Sequence, residues 1–298
     1  MADSPPFSAV VVTHNSAAEL PELLDSIERE LDPPPQVIVV DAASADDTLS
    51  AAAGRAEVIA LEHNPGFGAA CNAGVERADG EVTVLLNPDA VLLDAGLTAL
   101  AEIARPRAIL AVPRLLNPDR TIQRSAHPAP GRMRALLPAL VHPRMLPGPL
   151  GLAADPWRSE EPRSVGWAVA ACVAARTEVL RSLGPFEADQ FLFYEDMDLC
   201  LRAGAAGIPT ELHPEVAVLH AGGHSTTPAY GGEPHELLAR RRREVVTARL
   251  GPRAAALDDA AQAITFATRA LARILLRRDS ARERAQLRGF LASRRGKS

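Results

Sequence analysis

Along the first 116 residues, short apolar runs alternate with segments whose apolar positions recur at helical spacing. Ser8–Val12 is an uninterrupted apolar run that ends at Thr13-His14-Asn15, the pattern of a buried strand. Ala17–Glu30 places Leu20, Leu23, Leu24 and Ile27 on one helical face, with Asn15 or Ser16 available to cap it. Gln36–Val40, Val58–Leu61, Val82–Leu86 and Ala108–Val112 read as four further strands, and Ala69–Ala78 as a helix opened by a glycine-containing turn. Strands separated by helices of this length predict an α/β fold with a doubly wound, mostly parallel sheet. In such sheets the ligand site lies beyond the carboxyl ends of the strands.

The pattern changes at 117–164, where nine prolines from Pro118 to Pro162 predict an irregular excursion with a short helix near Arg132–Leu140. Periodicity returns with a small-residue strand at Gly166–Ala175, helices at Thr177–Leu183 and Glu195–Ala205, and a strand at Glu215–Leu219 that ends at His220. Beyond Pro234 the chain is helical and rich in Ala and Arg. We therefore expect one α/β domain over 1–232 and a basic helical extension over 233–298.

Charge sharpens that division. The formal net charge of −5 hides a split: 16 Arg/Lys against 5 Asp/Glu in residues 240–298, and 16 against 32 before them. An acidic body with a basic tail predicts an anionic partner for the tail, with an anionic membrane surface one candidate. Nucleic acid is not expected, because the tail offers only Phe266 and Phe290 as aromatics and no recognised module. No apolar stretch is long enough to span a bilayer, and the N-terminal residues lack a basic segment followed by a long apolar run. Cys71, Cys172 and Cys200 have no metal or redox spacing and read as small buried hydrophobes of a cytoplasmic protein.

The candidate chemistry sits where strands end. Asp41 follows the second strand, where a carboxylate can accept hydrogen bonds from a base or ribose, or simply form a turn with Ser44, Asp46 and Asp47. Asn64-Pro65-Gly66-Phe67-Gly68 and Asn72 form a glycine-punctuated entry to a helix, suited to an anion but equally to a tight turn. Asn87-Pro88-Asp89 follows an apolar strand directly, and a carboxylate there can hold Mg²⁺ or Mn²⁺ if a diphosphate supplies further oxygens. Phe191-Leu192-Phe193-Tyr194 runs into Glu195, Asp196 and Asp198, more acid than a helix N-terminus requires, and one of these carboxylates could act as general base. His220 ends a strand and can complete a metal site, with His224 as a competitor.

Taken together, AVVVTHNS, VVDAASADDT, NPGFGAACNAGV, LLNPDA, the long GWAVAACVAARTEVLRSLGPFEADQFLFYEDMDLCLRAGAAG block and LHAGGHS resemble family 2 glycosyltransferases of the GT-A fold. The similarity spans about residues 7–227, in the family's order, and leans toward its rhamnosyl- and galactofuranosyltransferase-like branch. The resemblance implies that Asp41 contacts the nucleobase, and that Thr13, Asn15, Asn64, Gly66, Asn72 and Asn87 line the donor pocket. Asp89, last acid of a D-x-D-type motif whose first acid is here Asn87, would hold Mg²⁺ or Mn²⁺ together with His220. Asp196 would be the general base, and Trp167 and Glu195 would shape the sugar or acceptor pocket. The implied partners are a nucleotide-sugar donor and a saccharide or lipid-linked acceptor, met in the cytoplasm or at the inner face of the cell membrane. A sugar-1-phosphate nucleotidyltransferase and a non-catalytic nucleotide-sugar binder are the alternatives. The first is disfavoured because Thr13-His14-Asn15-Ser16 contains no Arg or Lys.

Overall fold

The computed structural model describes residues 5–184, 186, 193–222 and 233–295. Pro185, Phe191, Leu192 and His224 lie outside the described residues. In chain order the elements are β1 (Ser8–Thr13), α1 (Leu20–Glu30), β2 (Gln36–Asp41), α2 (Thr48–Ala52), β3 (Glu57–Ala60), α3 (Phe67–Arg77), β4 (Val82–Leu86), β5 (Ala90–Leu92), α4 (Gly96–Ala104), β6 (Leu110–Leu116) and β7 (Ala126–His127). They continue with α5 (Leu136–Leu140), α6 (Gly148–Ala154), β8 (Arg163–Val165), β9 (Trp167–Ala168), β10 (Cys172–Arg176), α7 (Thr177–Leu183), α8 (Glu195–Ala205), β11 (Thr210–His220), α9 (His235–Leu275) and α10 (Ala281–Arg295).

The described residues divide into two compact units, one within Met1–Ala126 and Trp157–Ser225, the other within His127–Pro156 and Thr226–Ser298. The first is built on a nine-stranded mixed sheet in the order β3-β2-β1-β4-β10-β6-β11-β5, with β8 paired to β11. β1, β2, β3 and β4 run parallel, β10 is antiparallel to both β4 and β6, and β11 is again parallel to β6. Every residue of β1 and β4 is buried, as expected for central strands covered on both faces, whereas β3 alternates at the edge. The core joins Phe7, Leu20, Leu23, Leu24 and Ile27 to Val39, Leu86, Leu100 and Ile109. α3 lies close on the sheet through Gly74, where an added Cβ would collide with Val10 Cγ1 and lie 3.0 Å from Val40 Cγ2.

Four local expectations need correction. α1 starts at Leu20 with Glu19 at its N-cap and no side-chain cap, because the Ser16 carbonyl already accepts the Glu19 and Leu20 N–H groups. The small-residue run Gly166–Ala175 is two strands, since the Val169 N–H is drawn off the sheet to the Ser125 carbonyl. The last strand of the unit is longer than Glu215–Leu219: it spans Pro214, which cannot donate to a ladder, and its register against β6 shifts between His213 and Ala217. Finally, the proline-rich excursion carries, besides the short helix expected near Arg132–Leu140 (α5), a second helix, α6.

In the second unit α9 is interrupted at Gly251 (φ 85°), with Pro252 restarting the helix. Arg242 and Arg243, before the break, grip Asp258 and Asp259 after it. The Arg242 pair is bidentate at 2.7 and 2.9 Å, and both carboxylates are buried. Burial pushes Asp259 upward, opposed by the charge and hydrogen bond of Arg243. No helix among the described residues is long and apolar enough to cross a membrane.

Candidate active site

Because β1, β2, β4 and β11 point the same way, their carboxyl ends share one edge of the sheet. Thr13, Asp41, the Asn87–Asp89 turn and His220 are the residues at those ends. This placement follows from strand direction alone, and it is where open α/β sheets bind ligands.

At the β1–β2 end, Asp41 is almost fully buried and both of its oxygens are engaged. Oδ1 accepts from Thr13 Oγ1 at 3.0 Å and Ser44 Oγ at 2.5 Å, and Oδ2 accepts from the Ser44 N–H at 2.9 Å. Its turn-forming role is thus realised. Asn15 fastens the neighbouring loop: its Oδ1 accepts the Ala45 N–H at 2.8 Å and its N–H donates to Ser44 Oγ at 2.8 Å. Asn15 (φ 52°) and Ala43 (φ 55°) are both left-handed, a strained backbone held by these bonds. Asp46 serves the same loop, accepting from the N–H groups of Ala17 and Thr48.

At the glycine turn, Asn64 Oδ1 accepts the Gly66 N–H at 2.9 Å, and Gly66 takes φ 93°, which a side chain would resist. α3 then starts with no side-chain cap, so its first N–H groups point outward. Asn72 is engaged with the backbone of Phe186. Its Nδ2 donates to the Phe186 carbonyl and its Oδ1 accepts the Phe186 N–H, both at 3.0 Å. With the Phe67–Phe186 ring contact, this ties Phe186 to α3.

The β4–β11 end has the sharpest geometry. Asp89 Oδ1 lies 3.4 Å from His220 Nε2, and Asp89 Oδ2 accepts the Gly222 N–H at 2.7 Å. Asn87 Nδ2 lies 3.1 Å from the same Nε2, and the Asn87 N–H donates to the Ala171 carbonyl. The opposite ring nitrogen, Nδ1, lies 2.9 Å from Gln123 Oε1. The tautomer follows from the hydrogen-bond chain behind Gln123. Thr121 Oγ1 donates to the Asp119 carboxylate, which leaves it to accept from Asn117 Nδ2. Asn117 Oδ1 then accepts from Gln123 Nε2, which also donates to the His220 carbonyl. Gln123 must therefore turn its oxygen to His220, so Nδ1 carries the proton and Nε2 of the neutral ring keeps its lone pair. That lone pair faces Asn87 and Asp89.

Burial alone would push the Asp89 carboxyl up. The hydrogen bond and charge of His220, together with the Gly222 N–H, outweigh burial and hold it below the ordinary value. Among the described residues no three His, Cys, Asp or Glu side chains converge on one point. The donor set is one carboxylate and one imidazole, and it fits Mg²⁺ or Mn²⁺ only if water and phosphate oxygens complete the shell.

At the start of α8, Phe193 (φ 72°) and Tyr194 (φ 64°) are consecutive left-handed aromatics, a costly backbone that aims the next two residues. Tyr194 packs edge-on against the buried Trp167, ring centroids 5.9 Å apart. α8 is held to β9 through Cys200 Sγ and the Ala168 carbonyl. Glu195 is buried, and its Oε2 has no hydrogen-bond partner among the described residues. Burial, and then the charge of Asp196, raise it to about 8. Asp196 Oδ1 accepts the Met197 N–H at 2.7 Å. Trp167 and Tyr194 thus form one group, with Glu195 next in the chain, and Asn87, Asp89 and His220 another. All three cysteines are free and buried.

Sequence reasoning missed Gln123 and Gly222 as partners of His220 and Asp89. Asn117-Pro118-Asp119 announces a turn, but nothing in it points to a histidine 97 residues away.

Comparison with known proteins is consistent with this geometry. The profile of glycosyl transferase family 2 matches residues 8–141. The N-acetylglucosaminyl-diphospho-decaprenol L-rhamnosyltransferase of Mycobacterium tuberculosis (strain ATCC 25618 / H37Rv) is 29% identical over 235 residues, covering 73% of this chain and 76% of that protein. Among solved structures, the mannosyltransferase PcManGT from Pyrobaculum calidifontis, in complex with GDP-Man and Mn²⁺, superposes with a TM-score of 0.56 at 18% identity, covering 98% of this chain and 81% of that one. S. aureus TarS gives a TM-score of 0.51 at 18% identity, with 88% of this chain covered but only 42% of TarS.

Proposed function

We propose, from the premise that this chain is a rhamnosyltransferase-like protein of glycosyltransferase family 2 with the GT-A fold, that it is an inverting, metal-dependent sugar transferase. Its donor would be a dTDP- or UDP-sugar such as a rhamnose nucleotide. Its acceptor would be a hydroxyl on a saccharide or lipid-linked glycoconjugate of the bacterial cell surface, in keeping with the relative's name. The observation that carries this reading is the Asp89–His220 pair at the carboxyl edge, 3.4 Å apart, with Gln123 holding the far ring nitrogen of His220.

In this reading the loops holding Thr13, Asn15 and Asp41 receive the nucleoside, and the Asn64–Gly66 turn before the uncapped α3 receives phosphate oxygens. Asp89 and His220 would hold Mg²⁺ or Mn²⁺, with Asn87 beside them. When bound, the ion supplies Lewis-acid stabilisation of the departing nucleoside diphosphate. Glu195, neutral at pH 7 because of its burial, leaves the role of base to Asp196. Asp196 takes the acceptor proton while the acceptor oxygen bonds to the anomeric carbon. The bond from that carbon to the diphosphate breaks on the opposite face, and its electron pair leaves with the diphosphate. Trp167 and Tyr194 form the apolar wall against which a sugar ring would lie.

The division into a catalytic domain at 1–232 and a basic extension at 233–298 belongs to the same proposal, as does work in the cytoplasm, peripheral to the inner face of the membrane. The direct test is nucleotide diphosphate release from a panel of dTDP- and UDP-sugars, with Mn²⁺, with Mg²⁺ and with chelator. Release from a donor that stops with chelator supports the reading. Turnover indifferent to chelator removes its metal-dependent part, and no release from any donor removes the catalytic part.

A further inference from the structure

Large aliphatic side chains stand in solvent at one end of the second unit. All nine residues from Leu271 to Asp279 are exposed, and they include Leu271, Ile274, Leu275 (73% exposed) and Leu276 (64%). α5 is fastened to the same stretch of α9, since Thr268 Oγ1 donates to the Ala139 carbonyl at 2.8 Å and Arg269 to the Pro138 carbonyl at 3.0 Å. Leu137 and Leu140, three apart on α5, are exposed beside it. Soluble surfaces rarely leave so many large aliphatics together without a partner.

The charge around them is mostly positive, with Asp279 and Glu283 following after the end of α9. From Ala260 to Arg278 the sequence contains no acid and four arginines, Arg269, Arg273, Arg277 and Arg278. Arg273 pairs with Glu283, but no ion pair to Arg277 or Arg278 occurs among the described residues. The contrast is with Arg242 and Arg243, which are consumed by buried carboxylates within the fold. The expected contact of the basic tail with an anionic surface thus shifts from its first arginines to the end of α9.

We propose that this corner, Leu137, Leu140, Leu271, Ile274, Leu275 and Leu276 with Arg273, Arg277 and Arg278, docks on an anionic phospholipid surface. Aliphatic groups beside the guanidinium groups of Arg277 and Arg278 match the boundary between acyl chains and anionic headgroups. A second copy is a poorer occupant, because apposing the patch with itself would bring like charges together. The proposal deepens the peripheral placement given under the proposed function, but its test uses no sugar. Failure here would leave donor turnover untouched, and failure of turnover would leave docking untouched.

The test is flotation of the full chain with vesicles of phosphatidylcholine alone or of equal parts phosphatidylcholine and phosphatidylglycerol. Binding is expected only to the anionic vesicles and should fall with added salt. Arg277→Gln with Arg278→Gln should lower partition about fivefold per arginine, and Leu275→Ser with Leu276→Ser roughly tenfold or more. Arg240→Gln, outside the patch, should leave it unchanged. The residues changed are exposed, so melting temperatures should match, and the salt titration of the unmodified protein tests the idea without any variant. Equal partition of all variants, salt-independent binding, no binding to anionic vesicles, or a concentration-dependent dimer abolished by the leucine changes would each overturn it.

Discussion

Replacing Gln123 by Leu is the most discriminating local perturbation. His220 is only 7% exposed, and its Nδ1 proton is held by Gln123 Oε1 at 2.9 Å. Without that acceptor, the neutral ring is stabilised by moving its proton to Nε2, where Asp89 lies 3.4 Å away. The lone pair that would bind a metal is then gone. The alternative, an unsatisfied buried N–H, costs about 1–3 kcal/mol. Loss of a partner that orients a ligand histidine weakens metal binding about 10–100-fold, or roughly 1.4–2.7 kcal/mol. The assay is Mn²⁺ titration by electron paramagnetic resonance with nucleoside diphosphate present, alongside ¹⁵N spectra of the histidine rings without metal. Gln123→Leu should shift the His220 tautomer and weaken Mn²⁺ binding, while Gln123→Glu, which keeps an acceptor toward Nδ1, should restore both. A folded Gln123→Leu protein with the native tautomer and native Mn²⁺ affinity would refute the reasoning.

Other outcomes follow from the same structure. Glu195 is raised to about 8, so the folded state holds a proton that the unfolded chain releases above its ordinary value near 4.5. Stability from this group is therefore full below about pH 4.5 and lost as pH rises through 8, on the order of a few kcal/mol in all. Thermal melts at pH 5 and 8 should show that loss in the parent protein and a smaller one in Glu195→Gln; equal slopes would exclude burial as the cause. Gly74→Ala puts a Cβ against Val10 and should cost about 1–3 kcal/mol by overpacking, offset by up to about 1 kcal/mol of helix propensity. Urea unfolding that shows net stabilisation would mean α3 is not packed this closely. Arg242→Ala strands a buried Asp258 and should destabilise by about 3 kcal/mol or more, whereas Arg240→Ala, in an exposed pair with Glu244, should cost under about 1 kcal/mol. Equal midpoints for the two variants would contradict the buried pairing.

Much of the sheet was legible because its central strands are buried on both faces and therefore uniformly apolar, as in VVVT and VTVLL. Where neighbours decide, the pattern fell short: the three-residue β5 left no signal, and the strand expected across Gly166–Ala175 is split by a hydrogen bond to Ser125. The candidate site was legible at strand ends, since Asp41, Asp89 and His220 stand where apolar runs stop. It was illegible where one side chain serves another far along the chain. Gln123 looks like an ordinary polar loop residue until His220 is placed beside it. Nothing around Asn72 announces that Phe186 holds both ends of its amide. The arginines at 240–243 likewise showed their charge but not that Asp258 and Asp259 would absorb half of it.

The account rests on a carboxylate that takes the acceptor's proton across from a metal-held diphosphate. Donor binding and nucleotide diphosphate release, measured side by side for the parent protein and Asp196→Asn, probe that claim directly. We expect the variant to bind donor with Mn²⁺ as tightly as the parent while turnover falls by about 10²–10⁴-fold. Undiminished turnover in Asp196→Asn would contradict the assignment of the base and, with it, the proposed chemistry.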